Sequence, residues 1–198
     1  MKSKNQNQKG FSLVETLVAL TILLVSLVAP MTIASKSLQN IFYAREQYTA
    51  IMLAQEGLEA TVYLQRSAMV DALHNGGNAW TWYTSLPSNC RGANGCGLDF
   101  SGNATNPVSV AVNNCGSGGT ACLLNLDTGS SRARYHHGGS GTPSPYSRII
   151  RVTDAGQGNF SQVVVESEVT WSSVVFPSNT NESIIVRTNL FDVATTTI

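Results

Sequence analysis

The sequence predicts an α+β fold, in which one long N-terminal helix, apolar in its first half, packs on an antiparallel β-sheet head with a loop-rich insertion. Three observations predict it. Phe11 to Ala34 is an apolar run with a single charge, Glu15. Beyond it, apolar residues recur at steps of three, four and seven as far as Leu73, the spacing of one helix face. After residue 147 three segments read as strands, and the second, residues 160–171, alternates apolar and polar residues, the period of a half-buried strand.

The 198 residues suffice for one head domain on one long helix. The first ten are polar and basic, with Lys2, Lys4 and Lys9 and no acid. Basic residues before an apolar run stay on the cytoplasmic side and put the rest of the chain across the membrane. About 20 apolar residues cross a ~30 Å hydrocarbon core, so residues 11–34 are long enough to span. An uncleaved signal anchor and a secretory signal cut after Thr32-Ile33-Ala34 are two readings. The second fits poorly, because the apolar stretch is longer than such signals carry and Thr32 is not a small residue. A third reading uses Gly10 and Glu15 together: the cut falls between Gly10 and Phe11, and the apolar helix stays with the mature chain. A carboxylate inside a bilayer costs roughly 2.5–3.5 kcal/mol, so Glu15 needs a compensating partner.

The run Lys9-Gly10-Phe11-Ser12-Leu13-Val14-Glu15-Thr16-Leu17-Val18-Ala19-Leu20 resembles the class III leader of type IV pilins and type II secretion pseudopilins. The resemblance implies a prepilin peptidase that cleaves after Gly10 and N-methylates Phe11. It implies that Glu15 assembles subunits by meeting the new α-amino group of a neighbour. It also implies other pilin or pseudopilin subunits and an inner-membrane assembly platform as partners, with the bilayer holding the chain before assembly. The physical reading agrees. Cleavage removes all three leader lysines and creates an amine that is largely cationic at neutral pH. Such a cation attracts a carboxylate far more strongly in a low dielectric than in water.

If Phe11 to Leu73 is all helical, its 63 residues extend roughly 95 Å at 1.5 Å per residue. Leu38, Ile41, Phe42, Tyr48, Ile51, Met52, Leu58, Val62, Met69 and Leu73 mark the expected apolar face. Pro30 is expected to kink or locally melt the helix. Gly57 is expected to be a close-packing point against the sheet. Asn75-Gly76-Gly77-Asn78 is a stop signal.

Between residues 74 and 147 Gly, Ser, Asn and Thr dominate. Trp80-Thr81-Trp82-Tyr83 is expected to pack in the core beneath a loop, and residues 107–112 and 121–126 read as short strands. Residues 148–153, 160–171 and 183–193 read as three strands joined by turns at 154–159 and 176–181, an antiparallel meander. The sheet's apolar face needs a cover, which the long helix supplies. The tail, Ala194 to Ile198, is expected to fray.

Cys90, Cys96, Cys115 and Cys122 all lie beyond the membrane in this orientation, where disulfides persist. Four cysteines allow three connectivities; the local pairs Cys90–Cys96 and Cys115–Cys122 are favoured. A zinc site suits the spacing less well, since its ligand pairs are usually two to four residues apart. His136 and His137 read as exposed loop histidines. Asp99, Asp127 and Asp154 read as turn caps rather than calcium ligands, there being no EF-hand spacing. Asp127-Thr128-Gly129 superficially matches an aspartic protease motif, but no second copy is present. Without a nucleophile elbow, P-loop or dinucleotide fingerprint, the chain reads as no enzyme and needs no cofactor. Twelve Lys and Arg less three leader lysines leave nine against twelve acids. That balance disfavours nucleic-acid binding by the head, a local basic loop through Arg132 and Arg134 aside.

The expected organisation is a leader at 1–10, a membrane and filament-core helix at 11–34 and an amphipathic helix at 35–73. A loop-rich disulfide region at 74–147 and a β-meander at 148–198 follow. The function read from it is a structural subunit of a type IV pilus, type II secretion or DNA-uptake filament, anchored in the bacterial inner membrane with its head outside the cytoplasm. Ala54-Gln55-Glu56-Gly57-Leu58-Glu59 and the terminal strands resemble minor pilins near a filament tip. The alternatives are a tip adhesin and a membrane-anchored binding protein, for which the loop-rich region offers a surface.

Overall fold

In the computed structural model the described residues are 10, 12–100, 108–112, 114–116, 120–129, 133–138, 141–155, 162–173 and 181–191. The fold is α+β, with a long apolar N-terminal helix and antiparallel sheets after it. Helix α1 runs Leu13–Asn75. The chain divides into two compact units, Met1–Ala44 and Arg45–Ile198, and the division falls inside α1.

In the first unit the helix is exposed on all sides, with large apolar residues such as Leu13, Val25 and Met31 more than 70 % accessible. Its few hydroxyls turn inward: Thr16, Thr21, Ser26 and Thr32 each donate to the carbonyl three residues back, at 2.8 Å. Back-bonding of this kind pairs these four hydroxyls, which would otherwise face an apolar surrounding unpaired. The expected melting at Pro30 is not seen. The helix is unbroken there, because proline removes one backbone donor and the turns on either side keep theirs.

The second unit is the head. Here the buried face of α1 is Ala50, Leu53, Ala54, Gly57, Ala60, Thr61 and Gln65, at helical steps of three and four. This corrects the expected face: Tyr48, Met52 and Leu73 are exposed, and Leu58 and Val62 only flank the core. The reason is distance. A Cβ on Gly57 would lie 2.5 Å from Ile150 Cδ1 and 2.8 Å from Ser167 Oγ. At Gly57 the helix sits too close to the sheet for any side chain, and small residues, Ala50, Ala54 and Ala60, flank it on that face.

After α1 comes a short helix, α2 (Thr81–Ser85), then seven strands. These are β1 (Gly97–Phe100), β2 (Val108–Val112), β3 (Leu123–Asp127), β4 (Arg134–His137), β5 (Thr142–Asp154), β6 (Gln162–Trp171) and β7 (Glu182–Phe191). β1 and β2 form a hairpin-like pair; the main sheet has the order β4-β3-β5-β6-β7, antiparallel throughout. Strand β6 alternates buried and half-buried residues along its whole length. Val163, Val165 and Val169 turn inward, while Glu166 and Glu168 turn outward. There Arg151 reaches both glutamates (3.2 and 2.6 Å) and Arg187 reaches Glu166 (2.7 Å), a cross-strand ladder of charge.

The expected meander is present as β5, β6 and β7, but the sheet is larger than expected. β3 and β4 join it from the region read as loop-rich, and β5 begins at Thr142 rather than 148. Pro143 and Pro145 disguise that start. Along this stretch β5 pairs only with β3, and a proline's missing N–H is tolerated on an unpaired side. Of the expected turns, most of 154–159 and 176–181 lies outside the described residues, as do Pro107, Arg132, Asp192, Val193 and the tail.

Trp80, Trp82 and Tyr83 are buried, as expected. They join Ala60, Leu98, Ile150, Val152, Val163 and Val165 in one core cluster. Trp80 stacks on Trp82 with ring centres 5.9 Å apart. A second cluster gathers Ala50, Leu53, Ala54, Leu124, Tyr146, Val169 and Trp171.

Candidate processing and assembly site

Gly10 is exposed, and a Cβ built on it would meet nothing within 4 Å. The peptide bond after it is therefore uncrowded on the glycine side. Phe11 lies outside the described residues. Ser12 accepts Thr16 N–H (3.2 Å), and α1 begins at Leu13 with Glu15 in its first turn. A carboxylate there complements the positive end of the helix dipole. Beyond it, an 18-residue window has a mean hydropathy of 2.5 with no residue buried. The segment thus presents one acid at the head of an otherwise uncharged apolar helix.

In the head, Cys90 pairs with Cys96 (Cα–Cα 4.7 Å) and Cys115 with Cys122 (5.1 Å). All four are buried. The first loop is also pinned to β5: Cys96 and Ile150 exchange backbone hydrogen bonds (2.9 and 2.8 Å), and Val152 N–H donates to the Cys90 carbonyl (2.8 Å). Among the described residues no three His, Cys, Asp or Glu side chains gather as a metal-ligand set.

The histidines are not where the sequence places them. His136 and His137 lie in β4, and His137 is buried. Its backbone N–H donates to Asp99 Oδ2 (2.6 Å), and its ring nitrogens face Asp99 Oδ1 (2.7 Å) and the Arg148 carbonyl (3.1 Å). The ring thus bridges the Asp99 carboxylate and the β5 backbone. Arg148, fully buried, donates to the Leu53 carbonyl (3.2 Å), the Leu98 carbonyl (2.8 Å) and Asp99 Oδ1 (3.0 Å). One polar node therefore ties α1, β1, β4 and β5 together. Asp99, expected as a turn cap, is its acceptor. Gly97 makes room for it, since a Cβ there would stand 2.8 Å from the His137 ring. Nothing in the linear sequence marks the node, because its members are 38 and 49 residues from Asp99. Asp127 does cap a turn, accepting Gly129 N–H at 2.8 Å.

The node predicts acid lability. Burial pushes the Asp99 carboxyl up, but hydrogen bonds from His137 and the Arg148 charge more than offset it, and it titrates below its ordinary value. A depressed carboxyl contributes stability that is present above the unfolded value, about 3.9, and is lost as pH falls through the folded one. Urea unfolding should therefore show the head weakening below about pH 4. Asp99→Asn should flatten that slope while lowering stability at neutral pH. An unchanged slope in Asp99→Asn would remove the carboxyl as its source.

Comparison with protein families finds the prokaryotic N-terminal methylation motif at residues 5–29. The chain carries a class III prepilin signal. This is the processing signal of type IV pilins and pseudopilins, and the matched stretch includes Gly10, Phe11 and Glu15. The match covers residues 5–29, most of the apolar segment included, while the head lies outside it. No curated protein and no solved structure matches the chain. With the apolar helix, the prepilin signal indicates a membrane-anchored pilin-like protein.

Proposed function

We propose that the chain is a minor subunit of an extracytoplasmic filament of the type IV pilus or type II secretion kind. It is made as a membrane-anchored precursor with its head outside the cytoplasm. Prepilin peptidase cuts it after Gly10 and methylates Phe11. The α-amino group of one subunit then pairs with Glu15 of a neighbour, and the apolar helices pack into the filament core. The observation that carries this reading is the exposed helix with its lone first-turn acid inside the prepilin signal. An isolated carboxylate on an apolar helix has a use once a cation is delivered beside it. The head is read as structural rather than catalytic. His137 and Asp99, the pair nearest in form to an acid–base couple, are sealed from solvent. The minor-subunit assignment rests on the sequence resemblance around Gly57 and in the terminal strands.

Intact mass spectrometry of the protein from its native host tests the processing. The expected chain begins at N-methylated Phe11. A chain that keeps Met1, or begins at Ser35, overturns it.

A further inference from the structure

The main sheet has one long edge. β7, ten residues from Glu182 to Phe191, has β6 as its only strand neighbour among the described residues. The hydrogen bonds show which of its groups face outward. Gln162 accepts Ala155 N–H through its carbonyl (2.9 Å), on the β5 side of β6. Its partner Phe191 is thus in a non-bonded pair, and the Phe191 carbonyl accepts the Gln65 side-chain amide from α1 (3.1 Å). The β6–β7 register runs without a bulge, so bonding alternates. Ile184, Val186, Thr188 and Leu190 bond to β6, while Ser183, Ile185, Arg187 and Asn189 turn their N–H and C=O groups away from it.

Edges of this kind are usually guarded by shortness, proline, a bulge or a charge. β7 is long, has no proline and no bulge. Its mid-strand charge, Arg187, is drawn onto the outer sheet face by Glu166. Only the Phe191 end is capped, by Gln65. Beneath the open part, α1, β1 and β7 leave a groove of about 500 Å³ lined by Leu58, Val62, Tyr63, Phe100 and Thr188, with the charged Glu59 and Arg66 also on its wall.

We propose that the β7 edge is a strand-addition site for an extended segment of a different polypeptide with apolar side chains at alternate positions. The outward N–H and C=O groups of four alternate residues match an extended backbone and little else. Alternate side chains of the added strand fall on the inner face of the sheet, over the groove. A second copy of this chain fits less well. Pairing β7 with β7 is a closed two-fold contact that ends there. The opposite edge, β4, has four residues and is already met by β1, through His137 N–H to Asp99. The proposal concerns the head alone and stands whether or not Glu15 pairs as proposed above.

The test is amide hydrogen exchange on the full chain in detergent micelles. It is run with and without a capped probe peptide that alternates valine and threonine between terminal lysines. With the peptide, the amides of Ser183, Ile185, Arg187 and Asn189 should slow by roughly tenfold or more, and those of Ile184, Val186 and Thr188 should not change. Asn189→Pro removes only an outward N–H, which edge strands tolerate. It should keep the melting temperature and lose the protection. Unchanged exchange with the peptide overturns the proposal. So does peptide-free protection that grows with protein concentration, which indicates a second copy. Peptide-free protection at every dilution also overturns it, because a segment of the same chain then covers the edge.

Discussion

Glu15→Ala should leave cleavage after Gly10 intact and cut incorporation into filaments by roughly tenfold or more, the scale of losing one close charge pair at an interface. Cleavage should survive because the proposed cut after Gly10 lies ahead of α1, which begins at Leu13. Assembly should fail because the new α-amino group has no other acid to meet. From Leu13 to Ala34 Glu15 is the only charged side chain, and the hydroxyls nearby are committed to their own helix. Glu15→Asp keeps the charge on a shorter arm and should recover part of the incorporation. The measurement is the ratio of subunit in sheared filaments to subunit in membranes, with the N-terminus read by mass spectrometry. Wild-type incorporation of the alanine variant would refute the pairing.

Arg148→Met should weaken the head by about 3–5 kcal/mol, the cost of removing one partner of a buried charge pair. The guanidinium is fully buried and holds two carbonyls and a carboxylate from two other elements. Methionine fills similar space but removes the guanidinium from the Leu98 carbonyl, leaves the Leu53 carbonyl only its helix bond, and leaves Asp99 with His137 alone. The contact with Glu56, at 3.5 Å and with that side chain 37 % exposed, adds little because water screens it. Adding Asp99→Leu to Arg148→Met removes the stranded carboxylate and should recover part of the loss. Chemical denaturation of the full chain in detergent, followed by tryptophan fluorescence, reads both variants. A loss under about 1 kcal/mol for Arg148→Met would mean that the node is ordinary packing.

The two results bear on differently legible parts of the chain. Glu15 stands out because a charge in an apolar run is conspicuous in one dimension, and the prepilin signal is a contiguous string. β6 was legible for a similar reason, since its apolar and polar residues alternate along the chain. The packing face of α1 was not. Ala50, Ala54, Gly57 and Ala60 are too small to mark a face by hydrophobicity, and the larger residues beside them drew attention to the wrong one. β1 and β4 were missed because four residues are too few to show a period, and the start of β5 because its prolines disguise a strand.

The sequence by itself determined the local and periodic features of this protein. These are the cleavage signal, the apolar helix with its single acid, the tryptophan core and the meander, each written in neighbouring residues or in a fixed repeat. The tertiary structure alone decided that small side chains set the approach of helix to sheet, that β3 and β4 extend the sheet, and that Asp99, His137 and Arg148 meet. It also decided which backbone groups of β7 face outward. These depend on residues far apart in the chain and on distances of a few ångströms, which composition and spacing do not encode.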